Sequence, residues 1–554
     1  MRLNRRSCVT LAVCFAISFF AGCASTSRDG LWTQHETGRF HRAVTTTSPE
    51  AQQWFDQGLV LCFGFDQEVA RLSFARAAAI DPKCAMAHWG YAYAYGPHIN
   101  NPSMDEAASQ KAHDSVMRAV ELADKVSPVE RDLIRALSKR YVLPAPADRR
   151  ELDVAYANAM REVWRAHPDD DDVGALFAES MMNLRPWDLW TPEGIPRPET
   201  PEVVSALETV LARQPDHPGA THYYIHAMEA SPNPENAVPA SDRLRARVPG
   251  SSHLVHMPSH IDIRVGRYAE AVSANARAVK ADQVRIDRYG AGGFYAMYRA
   301  HNYHFLMWAA MFDGQSAVAM NAARDIVKQL PDEVIVGMPQ FVEAFIGSPY
   351  HVMVRFGQWE EILREPEPKA DLYGTRAMWH YARALAFAAQ FQVDNAVAES
   401  ERLAAATKAV PASYMMGRNS VSAILEVARE MVAGEVAYRR GNLDVAFNHL
   451  REAVRLDDLM NYDEPWGWVQ PARHALGALL LEQGLSTEAE RVYRRDLERH
   501  PNNGWSLHGL AECLRRTGRT SDALHYENLF TKAWARADIT LRASCFCRTS
   551  AQSE

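Results

Sequence analysis

Apolar positions recur three and four residues apart along most of the chain, and alternating runs of the kind that form strands are few. The pattern predicts helices nearly throughout. A longer period is laid over it. With Trp54 as position 4 of a 34-residue unit, Gly58 falls at 8, Ala70 at 20, Phe74 at 24, Ala77 at 27 and Pro82 at 32. The same frame fits Gly434, Gly441, Ala446, Leu450 and Ala453, and again Gly477, Gly484, Ala489, Tyr493 and Pro501. Gly518 with Ala523 opens a further unit, and Gly266, Ala271 and Ala278, then Gly314, Ala319 and Pro331, mark units in the middle. Residues 100–215 fit the frame poorly but keep the helical period.

These positions resemble the tetratricopeptide repeat family over about two thirds of the chain past residue 22. The resemblance implies an all-α solenoid, a superhelix of antiparallel helix pairs whose first helices line a concave groove. It divides the chain into an N-terminal repeat-like region (49–215), central units (216–365) and C-terminal units (366–537). Such arrays are usually protein-binding scaffolds, but a fold does not settle a function.

The N-terminus reads as an address. Arg2, Arg5 and Arg6 precede an apolar run from Val9 to Phe20, too short for a permanent span, and Ala21 and Gly22 then lead to Cys23. This resembles the bacterial lipoprotein signal, with Phe20 in place of the usual leucine. The resemblance implies removal of residues 1–22, lipidation of Cys23 and anchoring to a membrane. Ala24 in place of an aspartate points to the outer membrane, with the protein facing the periplasm. The alternative is a plain signal peptide with an incidental cysteine. Residues 23–48 read as a tether and 538–554 as a polar tail.

Composition narrows the field. Apolar residues at 47% and charged residues at 23% exclude general disorder. Acids outnumber bases 68 to 60 with no basic block, so nucleic acid is not an expected partner. Beyond Cys23 the chain keeps Cys62, Cys84, Cys513, Cys545 and Cys547, which show no four-cysteine metal spacing and predict no disulfide framework. Cys545 and Cys547 are given no role. Nucleophile elbows, phosphate-cradling loops and dinucleotide fingerprints are absent from the sequence.

The candidate chemistry lies in histidines that keep step with the repeat. With Ala237 and Pro249 at positions 20 and 32, His222 and His226 occupy positions 5 and 9. One period on, His253, His256 and His260 occupy 2, 5 and 9. After 14 inserted residues, His301 and His304 occupy 2 and 5, and His351 occupies 9 of the next unit. Those positions form one stripe on a first helix. In the family that stripe faces the groove, so the resemblance implies that these imidazoles share a cavity. Pairs four apart can bind one metal from a single helix face. The eight histidines are thus expected to hold one or two transition-metal ions, copper favoured over zinc or iron because six or more nitrogens come with little carboxylate. Glu229, on the same stripe, is a candidate base or carboxylate ligand. A single histidine on a helix is more often a hydrogen-bonded core or surface residue, and a protonated groove could instead bind acidic peptides.

Two irregular stretches could contact a small-molecule or peptide ligand. One is the proline-rich 185–201 with Trp187 and Trp190. The other is the insertion near 281–298 with Gly290, Gly292, Gly293, Tyr295 and Tyr298. Tyr462, Glu464, Trp466 and Trp468 form a further linker that the repeat does not place. The leading expectation is a metal-dependent enzyme, redox favoured over hydrolysis. A groove binding a partner protein and a metal store without catalysis are the alternatives.

Overall fold

The computed structural model describes residues 33–291 and 293–549; the signal segment, Cys23, the first part of the tether, Gly292 and residues 550–554 lie outside them. Helix follows helix, and one two-residue strand pair, Met415–Met416 with Asn419–Ser420, is the only sheet among the described residues. No described helix is long and apolar enough to cross a membrane. The protein is an all-α solenoid of tetratricopeptide-type helix pairs.

The repeat positions build each pair in the same way. Pro49–Phe63 packs on Gln67–Ile80, where a Cβ added to Gly58 would stand 2.7 Å from the Phe74 ring. Val421–Arg439 packs on Leu443–Asp458, where a Cβ added to Gly434 would stand 2.8 Å from Leu450, and Ala472–Glu482 on Ser486–Arg499, where one added to Gly477 would stand 2.5 Å from Tyr493. The glycine at position 8 makes room for the bulky residue at position 24, so two helices approach closely over an apolar seam. Gly441 and Gly484 turn the chain with φ of 78° and 75°, a region open to glycine.

Residues 100–215, which fit the frame poorly, still form pairs, including Pro128–Ser138 with Arg150–Ala166 and Asp171–Met182 with Thr200–Arg213. The expected insertion after residue 281 is mostly helix. Tyr268–Tyr289 has 22 residues against 14 in Gln67–Ile80 and in Ser316–Gln329, and only a short turn separates it from Tyr295–Phe312.

Three stretches differ from expectation. Residues 33–48, assigned to a free tether, are docked: Arg42 is buried and bonds Asp170 and Asp172 at 2.8 Å each. Residues 541–549 are not a free polar tail. Ser544 is fully buried and bonds the Tyr493 hydroxyl at 2.6 Å, and Cys545 is joined to Cys547 by a disulfide. Sequence order gives no hint of this, because both segments are held by residues far along the chain. The expected open groove is also closed. Trp505 donates to the Met311 carbonyl at 3.0 Å and Tyr268 to the Pro501 carbonyl at 3.0 Å, so the last units fold back on the central ones. The linker after Asp458 then enters the concave face. Trp466 stacks on Trp308 with centroids 5.2 Å apart, and Trp468 stands 5.7 Å from His351.

Candidate metal centre

Four chain segments bring the histidines together. All twelve residues of Pro218–Glu229 are buried, so this helix presents His222 and His226 to protein on every side. Ser252–His256 carries His253 and His256. Pro258, which cannot continue the backbone hydrogen bonding, starts Pro258–Val265 with His260 one turn after His256. Tyr295–Phe312 supplies His301. His222, His226, His253, His256 and His260 are each at most 4% exposed.

The rings fall into two triads. One ring nitrogen from each of His222, His226 and His253 lies within 4.8 Å of the others, and the same holds for His256, His260 and His301. The triads adjoin, with the His226 and His260 ring centroids 5.5 Å apart. His304 and His351 stand apart, lining a separate cavity of about 30 Å³. Their rings meet Phe345 and Trp468. The eight expected ligands therefore divide into six that converge and two that do not.

Outer hydrogen bonds fix which ring nitrogens are free. His222 Nδ1 lies 2.5 Å from the Phe63 carbonyl oxygen. His256 Nδ1 lies 2.6 Å from Asn275 Oδ1, whose amide nitrogen is committed to the Ala271 carbonyl at 2.8 Å. His226 Nδ1 and His260 Nδ1 each lie 2.7 Å from one oxygen of Glu229. An oxygen acceptor requires the hydrogen on Nδ1, so the lone pair of each neutral ring sits on Nε2. This is the arrangement by which second-layer acceptors orient metal-binding imidazoles.

The free nitrogens then meet. His222 Nε2 is 3.1 Å from His253 Nε2, and His226 Nε2 is buried with no partner. His256 Nε2 is 2.7 Å from His260 Nε2. Two lone pairs at that separation need a cation between them, either a proton or a metal ion. For a shared metal at ~2.0–2.1 Å the nitrogens would have to open to roughly 3 Å.

Electrostatics keep five of the six rings in their binding form. Burial, reinforced by neighbouring imidazoles, holds His222, His253, His256 and His301 well below the usual histidine range, and burial lowers His226. Burial alone would raise Glu229, but His260 and the two ring hydrogen bonds hold it well below the usual range. Burial and the Glu229 charge push Glu464, which closes on His260 Nδ1, well above it. Glu229 thus joins the triads as a bridge between two rings rather than pointing a free oxygen at either.

Of the expected ligand-contacting aromatics, Trp187 meets the His226 ring edge-on at 4.9 Å and Tyr298 lies 4.8 Å from His253. Trp190 donates to the Ala227 carbonyl at 2.7 Å, and Tyr295 to Asp282 at 2.8 Å, so both brace backbone and helix.

Several site residues escape the repeat reading. Tyr462 donates to Glu229 at 2.9 Å, and it and Glu464 come from the linker that sequence could not place. Phe65, at φ 56°, puts its ring 4.6 Å from His222 and 4.5 Å from His98, a histidine outside the stripe. Asn275 did leave a signal. It occupies position 24, where Phe74, Leu450 and Tyr493 stand in ordinary units.

No family model and no curated protein matches this chain. Among solved structures, the human IFIT1 dimer with m7Gppp-AAAA is 11% identical with a TM-score of 0.34, over 82% of this chain and 90% of that one. Yeast Tom70 is 11% identical with a TM-score of 0.27, over 89% and 91%. The APC/C hetero-tetramer Cut9-Hcn1 is 11% identical with a TM-score of 0.26, over 91% and 96%. Likeness this low carries no functional argument.

Proposed function

We propose that this is an exported, lipid-anchored helical-repeat protein that holds one or two transition-metal ions at its histidine triads and uses them in metal-dependent chemistry. The carrying observation is that His222, His226, His256 and His260 each give Nδ1 to an oxygen acceptor, leaving four Nε2 lone pairs among buried rings. Neutral imidazoles turned on one another in a dry interior repel unless a cation joins them. An all-imidazole set without thiolate suits copper first, with zinc or iron as alternatives. Redox chemistry is favoured over hydrolysis because imidazoles predominate and both oxygens of Glu229 are engaged by ring N–H groups. Lipidation at Cys23 would hold the protein to the outer membrane, facing the periplasm. A small-molecule or peptide ligand would approach past Trp187 and Tyr298.

One observation favours a second reading, metal storage or delivery without catalysis: five of the six rings are almost fully buried, which limits the access of a substrate to a held ion. Binding a partner protein through a histidine-lined groove is less supported, because the rings do not line an open surface.

Elemental analysis of protein purified without a histidine tag tests the proposal. One or two ions per chain, lost in a His222→Ala/His256→Ala double variant, is the expected result. Protein that stays metal-free after reconstitution, with unchanged thermal stability, would return it to the scaffold class.

A further inference from the structure

A second polar feature lies away from the triads. Arg355 ends the helix Ser348–Arg355 and is 4% exposed. Its guanidinium lies 3.6 Å over the Trp505 ring, and Nη1 donates to His474 Nδ1 at 2.9 Å. His474 can accept there because its Nε2 faces Asp496 at 2.8 Å and so carries the hydrogen. Asp496 is the carboxylate whose charge favours Arg355, yet it is already bonded by His474, Asn503 and Ser506. Arg355 Nε and Nη2 have no partner among the described residues. Those two atoms form the side edge of the guanidinium, the edge that matches two oxygens of one planar anion.

Arg355 lines a cavity of about 40 Å³ together with Gln470, whose buried Nε2 is also without a partner. The Cys545–Cys547 disulfide forms part of the wall. Glu435 lines the cavity as well, but its Oε1 is bonded by Arg439 at 2.7 and 2.9 Å. Three unanswered donors, two of them on a buried cation, surround a small space. An arginine keeps its proton even when buried, so the charge must be met by an anion rather than lost.

We infer that this cavity is a binding site for a small planar oxyanion, a carboxylate of one or two carbons or bicarbonate, held by Arg355 Nε and Nη2 and by Gln470 Nε2. The fork matches two oxygens of one planar anion and not a spherical halide. The site does not depend on the histidine triads, and its occupancy is read without any metal.

The test titrates the full chain with sodium formate, acetate and bicarbonate, holding ionic strength constant with sodium chloride. Thermal unfolding and tryptophan fluorescence report binding, since a ligand of the native state raises the unfolding temperature saturably. At least one of the three salts is expected to give a saturable rise that chloride does not, and the tightest of them identifies the source. Arg355→Lys, which keeps the charge and loses the fork, should weaken that binding at least tenfold. Gln470→Leu, which disturbs no bonded group, should weaken it severalfold with an unchanged circular dichroism spectrum. A response no greater than that of chloride, or one that Gln470→Leu leaves intact, overturns the proposal. If Arg355→Lys fails to fold, Gln470→Leu decides alone.

Discussion

The unit that carries His256 and the unit built on Val421–Arg439 use the same backbone device for opposite ends. In the second, Gly434 at position 8 faces Leu450 at position 24 and the seam between the helices is apolar. In the first, Ser259 and Asn275 occupy those positions, and the room is given to polar contacts. Ser259 donates to the His256 carbonyl at 2.7 Å and Asn275 accepts from the His256 ring at 2.6 Å. A repeat can therefore exchange its apolar seam for ring-orienting groups without losing its fold. Departures from the local rule then mark where chemistry is to be sought.

The largest expected contrast lies in metal dependence. Stripping the protein with a chelator should lower its thermal stability by up to ~4 kcal/mol relative to protein in free metal at a thousandfold excess over Kd. The His222→Ala/His256→Ala variant should show no such difference, and calorimetry with and without chelator reads both. Next comes the apolar seam. Gly477→Ala puts a Cβ 2.5 Å from the Tyr493 ring and should cost about 1–3 kcal/mol in denaturant unfolding while metal content stays unchanged. If it released the metal, the two regions would not be separable.

Within the centre, Glu229→Gln offers one accepting oxygen to two ring N–H groups. Metal affinity should fall by roughly ten- to a hundredfold in competition titrations, with little change in the metal-free fold. The smallest effect is on pH. Burial holds His304 down to about 3 and His351 to about 4, against ~6.5 in the unfolded chain. Above pH 6.5 neither state binds the proton, so these rings make no difference. As pH falls below 6.5 the unfolded chain takes up protons first, and each ring should cost about 1 kcal/mol between pH 6.5 and 5.5. Replacing both with glutamine should make that part of the profile shallower, the remaining slope coming from the other buried rings.

Much of this was legible in the sequence, because a repeat turns position into geometry. The phase of His222, His226, His253, His256, His260 and His301 placed six rings on neighbouring helices, and they do converge. Asn275 left a signal that the repeat reading did not use, a polar residue at a bulky apolar position. Phase alone could not separate His304 and His351, since equal register in a later unit does not ensure equal distance once the superhelix curves. Nor could it show that Tyr462 and Glu464 would enter the concave face. That depends on closure between units far apart in the chain, through contacts such as that of Trp505 with Met311, 194 residues apart. The double engagement of Glu229 was hidden for the same reason, because its second ring comes from the next unit.

X-ray absorption at the metal edge, on untagged protein reconstituted with copper, bears most directly on whether these rings chelate. A shell of about three nitrogens near ~2.0 Å with imidazole outer scattering, lost in the His222→Ala/His256→Ala variant, is the predicted spectrum. A shell of oxygen donors only, or an imidazole signal that survives that variant, would contradict the account.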